Sequence, residues 1–507
     1  MASAVHPVSP RVAAPRPFAG RAAHLLGLFV AAVAALLLHG YHPYVVDASI
    51  YLTGIEKRLH PALFPQDDTL IAAHAHLSIF SFVMAGLQRT THIPLSVLSF
   101  LVYFALLFAL LLLCCRLGEE LFASRRAGWG ATLLMAACMP IPVAATSLLL
   151  IDPYLTSRSF STDLSLLAIL ASIRNRWMLG LVSCALAIAF HPLMGIYLAC
   201  FLLMYFLVST RRWKLAAAAC AAAFVLSGGI LLATSNTPVT PSYREAVLGR
   251  VYYFLAFWHW YEIAGLIAPL ILLVLAWKYA AANTSLSRLA AASVLIGATS
   301  CVCCLCFVHP AGPYFLTRLQ LLRSFHTIYA LGIVMLGGAA AAVCAGRRQL
   351  AWFVALGGLA CAMFLLQRQD YSSLPDVEWP GASVTNPWEA GLVWIRNNTP
   401  QTALFAMDPR LMLFDDDAIP GFRSIAERSI LTDIKDEGLA SLFPPLAPIW
   451  AGRIARERAL NTESDVERRR QLLGTGASWL LLSSRSITAL YCPYRNAALQ
   501  VCSLARP

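Results

Sequence analysis

Residues 41–68 read YHPYVVDASIYLTGIEKRLHPALFPQDD and place Asp47, Glu56, Asp67 and Asp68 directly after the first long apolar run. Tyr51 follows Asp47 by about one helical turn. A carboxylate just outside a membrane helix can hold a cation or take a proton from an acceptor hydroxyl. The plainer alternative is a solvated acidic loop.

Three further stretches carry candidate chemistry. Residues 151–163, IDPYLTSRSFSTD, set Arg158 among hydroxyls, a grouping suited to phosphate. An interfacial arginine reaching lipid headgroups is the competing reading. Residues 309–326, HPAGPYFLTRLQLLRSFH, bring Arg318 and Arg323 to a membrane boundary, where they could clamp a diphosphate or touch headgroups. His191 and His309 each precede a proline and are candidate substrate contacts or metal ligands, or simply caps of broken helices. Trp258, Trp260 and Tyr261 fit an interfacial aromatic belt better than a sugar platform. Asp415, Asp416 and Asp417 suit calcium or an exposed turn. Phosphate-binding P-loops, hydrolase elbows and HExxH zinc motifs are missing from the sequence.

The elements that must position these residues are membrane helices. The 507 residues are 59% hydrophobic and 13% charged, and several apolar runs are long enough to cross a bilayer. Residues 24–39 form an uncleaved first helix rather than a signal peptide. Further apolar segments bring the expected total to about eleven crossings, with a break at His191-Pro192 because proline removes a helix hydrogen bond. Basic residues such as Arg116, Arg125, Arg126, Arg174, Arg211 and Arg212 fall on alternate links, which predicts a cytoplasmic N-terminus. Asp47, Glu56, Asp67, Asp68, Asp152, Asp163, Glu245 and Glu262 then gather on the outer side, leaving Glu119 and Glu120 inside. The net charge of +12 reflects those basic links, and no basic stripe interleaved with aromatics suggests nucleic acid.

This gives three regions: a disordered cytoplasmic tail over 1–22, a membrane domain over 23–366 with an acidic first outer loop at 40–93, and an outer α/β domain over 367–507. In the last region a helix is expected over 387–398, strands near 403–407, 429–432 and 478–483, and a hairpin through 489–492 and 499–504. Most of the 14 cysteines lie in apolar runs, whereas Cys492 and Cys502 flank that hairpin and could form a disulfide in an oxidising compartment.

The inside N-terminus, acidic first outer loop, broken helices and outer α/β domain resemble the GT-C membrane glycosyltransferases. Within that fold the chain looks most like the DUF6798-type group of bacterial multi-pass membrane proteins. The residues that carry this likeness are DASIY at 47–51, RSFSTD at 158–163, FHPLMG at 190–195, WIRNNTPQTALFAMDP at 394–409 and FRSIAERSILTDIKDEG at 422–438. The resemblance implies a polytopic α-helical enzyme of the bacterial inner membrane with a periplasmic C-terminal domain. Such an enzyme moves a sugar from a polyprenyl-phosphate carrier to an envelope acceptor at the outer face.

By the same resemblance Asp47 is the catalytic carboxylate, supported by Asp67 or Asp68. Tyr51, Arg158, His191, His309, Arg318 and Arg323 would contact substrate. Ala48 stands where the family usually has glutamate. The cofactor stays open, a divalent cation included. Two other classes fit the same features: a non-catalytic envelope-assembly protein that keeps the GT-C architecture, and a lipid or polysaccharide transporter. An enzyme should gather Asp47 and the loop arginines at one cavity.

Overall fold

The computed structural model describes residues 18–281, 284–344, 347–413, 420–433 and 435–504. The acidic run 415–417 and most of the expected N-terminal tail lie outside these residues.

The first helix, α1 (Phe18–His39), leads into three short ones, α2 (Val46–Leu59), α3 (Asp68–Ala75) and α4 (Phe80–Thr91). A helical bundle follows: α5 (Leu95–Phe122), α6 (Arg125–Cys138), α7 (Ser157–Ile173), α8 (Trp177–Phe190), α9 (Pro192–Ser209) and α10 (Trp213–Thr234). Its second half holds α11 (Pro241–Leu248), α12 (Trp260–Tyr279), α13 (Ser285–Phe307), α14 (Phe315–Leu319), α15 (Phe325–Val343) and α16 (Arg347–Asp370).

Among the described residues, 8 helical spans are long and apolar enough to cross a bilayer, or 9 if the bent α3–α4 pair counts as one. Each expected apolar segment contributes a helix, although residues 139–149 of the segment expected over 128–149 turn instead, and α6, α7 and α8 have only 14, 17 and 14 residues. At about 1.5 Å per residue they fall short of a hydrocarbon core of about 30 Å. The count of about eleven full-length crossings is therefore not reproduced. Helices α6 and α7 pack largely on other helices, as their small and hydroxylated side chains allow, whereas α8 buries one face and leaves Met178, Leu181 and Val182 exposed. By contrast α10, α12 and α16 leave most of their apolar side chains uncovered, the pattern of lipid-facing helices.

The chain does break at His191. Its Nδ1 accepts a hydrogen bond from the Met194 amide at 3.4 Å, and Pro192 occupies the first turn of α9, where a missing N–H costs nothing. Gly195 permits the sharp reversal, since a Cβ there would come within 2.4 Å of the Ile188 backbone nitrogen on α8. The motif FHPLMG is thus a helix–helix corner.

The C-terminal region is a small mixed sheet. Its elements are α17 (Pro387–Asn398), β1 (Leu404–Met407), α18 (Phe422–Ala426), β2 (Ser429–Ile430), α19 (Asp436–Leu442), α20 (Ala447–Glu457), α21 (Asp465–Leu472), β3 (Trp479–Ser483), β4 (Tyr494–Arg495) and β5 (Leu499–Ser503). Strand order is β2-β1-β3-β5-β4, with β1 parallel to β2 and β3, and β5 antiparallel to β3 and β4. Side chains alternate between two buried faces: Phe405, Met407, Leu481 and Val501 on one, Leu404, Ala406, Leu480 and Cys502 on the other.

Helix α17 begins where Asn386 accepts from the Trp388 and Glu389 amides and Pro387 follows as the first helical residue. The hairpin strand expected at 489–492 lies instead at Tyr494–Arg495, beyond Pro493, which has no N–H for the ladder. Cys492 and Cys502 are joined.

Several contacts seat this domain on the bundle, two of them central. Residues 376–378 pair with 40–42: the Tyr41 amide donates to the Asp376 carbonyl at 3.0 Å, and the Glu378 amide to the Tyr41 carbonyl at 2.9 Å. Arg423 then bridges Asp67 at 3.0 Å and Asp436 at 2.8 and 2.7 Å.

Candidate functional site

A cavity of about 460 Å³ opens where α2, the start of α7, the α8–α9 corner, α14 and α19 converge. Asp47 stands in its wall at the first turn of α2. One carboxylate oxygen meets Arg158 Nη1 at 3.0 Å, and the other meets Lys435 Nζ at 3.3 Å. Its side chain remains 31% exposed, so a ligand in the cavity can reach it. Burial alone would raise its pKa, but Lys435, Arg158 and Arg323 outweigh that and hold the carboxyl well below the usual range. Asp47 is therefore a firm anion.

Arg158 comes from the first turn of α7, where the Thr156 amide donates to Ser159 Oγ at 3.3 Å. It is fixed from behind, with Nε and Nη2 on the buried Asp152 at 3.1 and 2.7 Å. Its neighbour Ser157 donates to the Tyr51 hydroxyl at 2.8 Å, and the Tyr51 ring lies edge-on to His74 and Phe80. His191 lines the same cavity. Because its Nδ1 accepts from Met194, its proton belongs on Nε2.

Five cations line the cavity, Arg158, Arg250, Arg318, Arg323 and Lys435, against the single carboxylate of Asp47. Asp152 offsets Arg158 from outside the lining, and Glu437 lies 3.2 Å from Arg250. Arg318 rests on the Phe315 ring at 4.7 Å, and neither it nor Arg323 forms an ion pair with a carboxylate among the described residues. The Nε of Arg323 is buried without a hydrogen-bond partner. Two uncompensated guanidinium groups beside apolar walls of Phe190, Leu193, Phe315 and Leu442 suit an anion carrying an apolar chain.

A second cavity, of about 650 Å³, shares Asp47, Ser147, Tyr252 and Lys435 with the first. Its character is different: Asp152, Glu262 and Asp370 alternate with Tyr154, Trp258 and Tyr371. Acceptor-rich carboxylates and aromatic faces suit a neutral, hydroxyl-bearing group better than an anion. Backbone strain gathers at the boundary. Val46 has φ +47°, Ser147 +58° and Gln320 +49°, a region that a β-branched residue such as valine rarely enters.

The remaining candidates lie elsewhere. Asp67 is fully buried and lines neither cavity, because its oxygens take Arg423, the Ile430 amide and Arg453. It ties the first loop to the sheet domain. Asp68 is solvent-facing and pairs with Lys57 at 2.9 Å. His309 is exposed, its Nε2 at 3.0 Å from the Cys306 carbonyl, and lines neither cavity.

Two cavity cations, Arg250 and Lys435, carry no local signal. Lys435 reads as part of the acidic run TDIKDEG, and only the seating of the sheet domain brings it to Asp47.

Fold and site together describe a multi-pass helical membrane protein whose bundle and sheet domain enclose one cationic, apolar-walled cavity. No family model and no curated protein matches the chain. Among solved structures it is similar to the oligosaccharyltransferase AglB from Archaeoglobus fulgidus in complex with an inhibitory peptide and a dolichol-phosphate. That match has 12% identity and a TM-score of 0.46 over 92% of this chain and 70% of that one. The apo form of the Archaeoglobus fulgidus oligosaccharyltransferase gives 12% and 0.45 over 91% and 69%. Likeness at this level assigns no activity.

Proposed function

We propose that the protein is a GT-C-type membrane glycosyltransferase. It takes a sugar from a polyprenyl-phosphate carrier and passes it to an envelope acceptor at the outer face of a bacterial inner membrane. One observation carries this reading: Asp47 stands between a cavity with two uncompensated arginines and apolar walls and a second cavity with aromatic and acidic walls. The first suits a lipid phosphate and the second a hydroxyl acceptor. The narrower likeness to the DUF6798-type group stays part of the proposal.

In this mechanism the acceptor oxygen attacks the sugar's anomeric carbon as the bond from that carbon to the carrier phosphate breaks. The phosphate leaves with the bonding electrons, and Arg318 and Arg323 stabilise its developing charge. Asp47 accepts the hydroxyl hydrogen bond and orients the nucleophile. With its pKa held low it is a weak base, so positioning and charge stabilisation outweigh proton removal. The acceptor proton passes to Asp47 and then to the departed phosphate or to water. A divalent cation fits poorly at Asp47, because Arg158 and Lys435 already take both oxygens. No step is routed through a metal.

The proposed orientation places the N-terminus in the cytoplasm and the sheet domain in the periplasm, with α6, α7 and α8 completing the crossings. The basic links and the Cys492–Cys502 bond support it. A non-catalytic envelope-assembly role is the second reading, favoured by Ala48 and by the two cations on Asp47.

Profiling of lipid-linked sugars and envelope glycans in a deletion strain separates these readings. The enzyme reading expects one lipid-phosphate sugar to accumulate and one glycan to lose that sugar. Unchanged profiles in both pools would remove it.

A further inference from the structure

Far from the cavity, the structure gathers His24 on α1 with Cys115 and Glu119 on α5, their nearest ligand atoms all within 4.8 Å of one another. His24 lies fifteen residues before His39, the end of α1 nearest the cavity, or about 22 Å along the helix axis. The site is therefore separate from the proposed transfer chemistry.

Cys115 and Glu119 are four residues apart, so they share one face of α5, and α1 packs across that face. His24 Nε2 lies 3.8 Å from Cys115 Sγ. A tetrahedral zinc ion with ordinary bond lengths would hold a sulfur and an imidazole nitrogen about 3.6 Å apart. The imidazole is oriented by Trp129, whose ring meets it edge-on at 5.3 Å. Helix α6 leaves room beside the other two ligands only because residue 128 is glycine. A Cβ there would lie 2.7 Å from Glu119 Cγ and 3.1 Å from Cys115 Sγ. Glu119 also pairs with Arg116 at 2.9 Å, a contact that rotation of a partly exposed carboxylate can exchange for a metal.

We infer that His24, Cys115 and Glu119 form a site for a zinc-class divalent cation that staples α1 to α5 at the end of the bundle remote from the cavity. Thiolate, imidazole and carboxylate together favour zinc over magnesium or calcium, which take oxygen sets. Three protein ligands leave a fourth position for water. Binding releases the Cys115 proton to solvent and involves no redox change.

The test uses the purified full-length protein in detergent, stripped with chelator under reducing conditions and titrated with cobalt(II), then with zinc as competitor. The wild type is expected to bind one cobalt with a thiolate-to-cobalt absorption band that zinc abolishes. Cys115→Ser should lose the band, and His24→Gln should keep the thiol while weakening binding by more than about tenfold. Absence of the band in the folded wild type would overturn the inference, even if Cys115→Ser proved unstable. So would a band that survives both substitutions, since it would come from another cysteine.

Discussion

At the residue scale, Asp47 is defined by the cations that hold it. Lys435 is the one supplied by the sheet domain, and it is among the groups that keep the carboxyl ionised. Removing that charge in Lys435→Met must raise the Asp47 pKa. If the ionised carboxylate is the working form, activity is lost as pH falls through that pKa. The acid limb of the pH–rate profile is then predicted to shift to higher pH in the variant. An unshifted limb would mean that Asp47 does not titrate in the reaction.

Arg323→Gln should lower transfer by about 10²–10³-fold, the usual loss when one charge-stabilising donor is removed. A comparison of turnover at matched protein levels checks this. The sequence made Asp47, Arg158, Arg318 and Arg323 visible because few charges interrupt its apolar runs. The resemblance put Asp47 ahead of Asp67, but the sequence could not show Asp67 buried behind Arg423, a partner 356 positions away.

At the element scale, the contact between residues 40–42 and 376–378 carries a titrating pair. His42 Nδ1 lies 2.9 Å from Glu378 Oε1, and the imidazole stacks on Tyr371 at 4.2 Å. Burial pushes Glu378 from 4.5 up to about 8. Burial also lowers His42 from 6.5 to about 4, with Asp376 and Arg368 acting in opposite directions. Both groups are therefore largely uncharged near neutral pH.

The stability that Glu378 contributes is fully present below pH 4.5 and lost as pH rises through about 8. His42 has the opposite sign: its buried neutral form costs stability as pH falls below 6.5 towards 4. The two slopes oppose each other between 4.5 and 6.5, and of this pair only Glu378 still contributes above 6.5. Thermal stability of the wild type should therefore decline between pH 6.5 and 9, and Glu378→Gln should flatten that decline. Parallel curves for the two proteins would exclude a protonated Glu378.

The corner at His191 and helix α17 were legible from local chemistry, through proline, asparagine and glycine. The shortness of α6 was less so, because hydropathy runs on through residues 139–149 where the backbone turns.

At the scale of the whole molecule, the sheet domain is part of the site, since Lys435 and α19 close the cavity wall. In the proposed topology its side of the membrane rests on the basic links and on an odd number of crossings that counts α6, α7 and α8, which are too short to be read as spans from length alone. A reporter active only in the periplasm, fused after residue 507, should give signal. Signal from a cytoplasmic reporter alone would invert the topology and move the cavity to the wrong face for a polyprenyl-phosphate donor. The division into an apolar bundle and a mixed sheet was plain from composition. How the two meet was not, because that depends on Arg423 bridging Asp67 to Asp436 and on a backbone pairing between distant segments.

The central claim is that Asp47 serves transfer between the two cavities. Its most direct measurement is the lipid-linked sugar and glycan profile of a deletion strain complemented with Asp47→Asn at wild-type protein levels. Asparagine keeps the shape but removes the charge, and losing a group that positions and deprotonates a nucleophile typically costs about 10²–10⁴-fold. The profile should match that of the uncomplemented deletion. A profile restored to wild type would contradict the account and leave Asp47 a structural partner of Arg158 and Lys435.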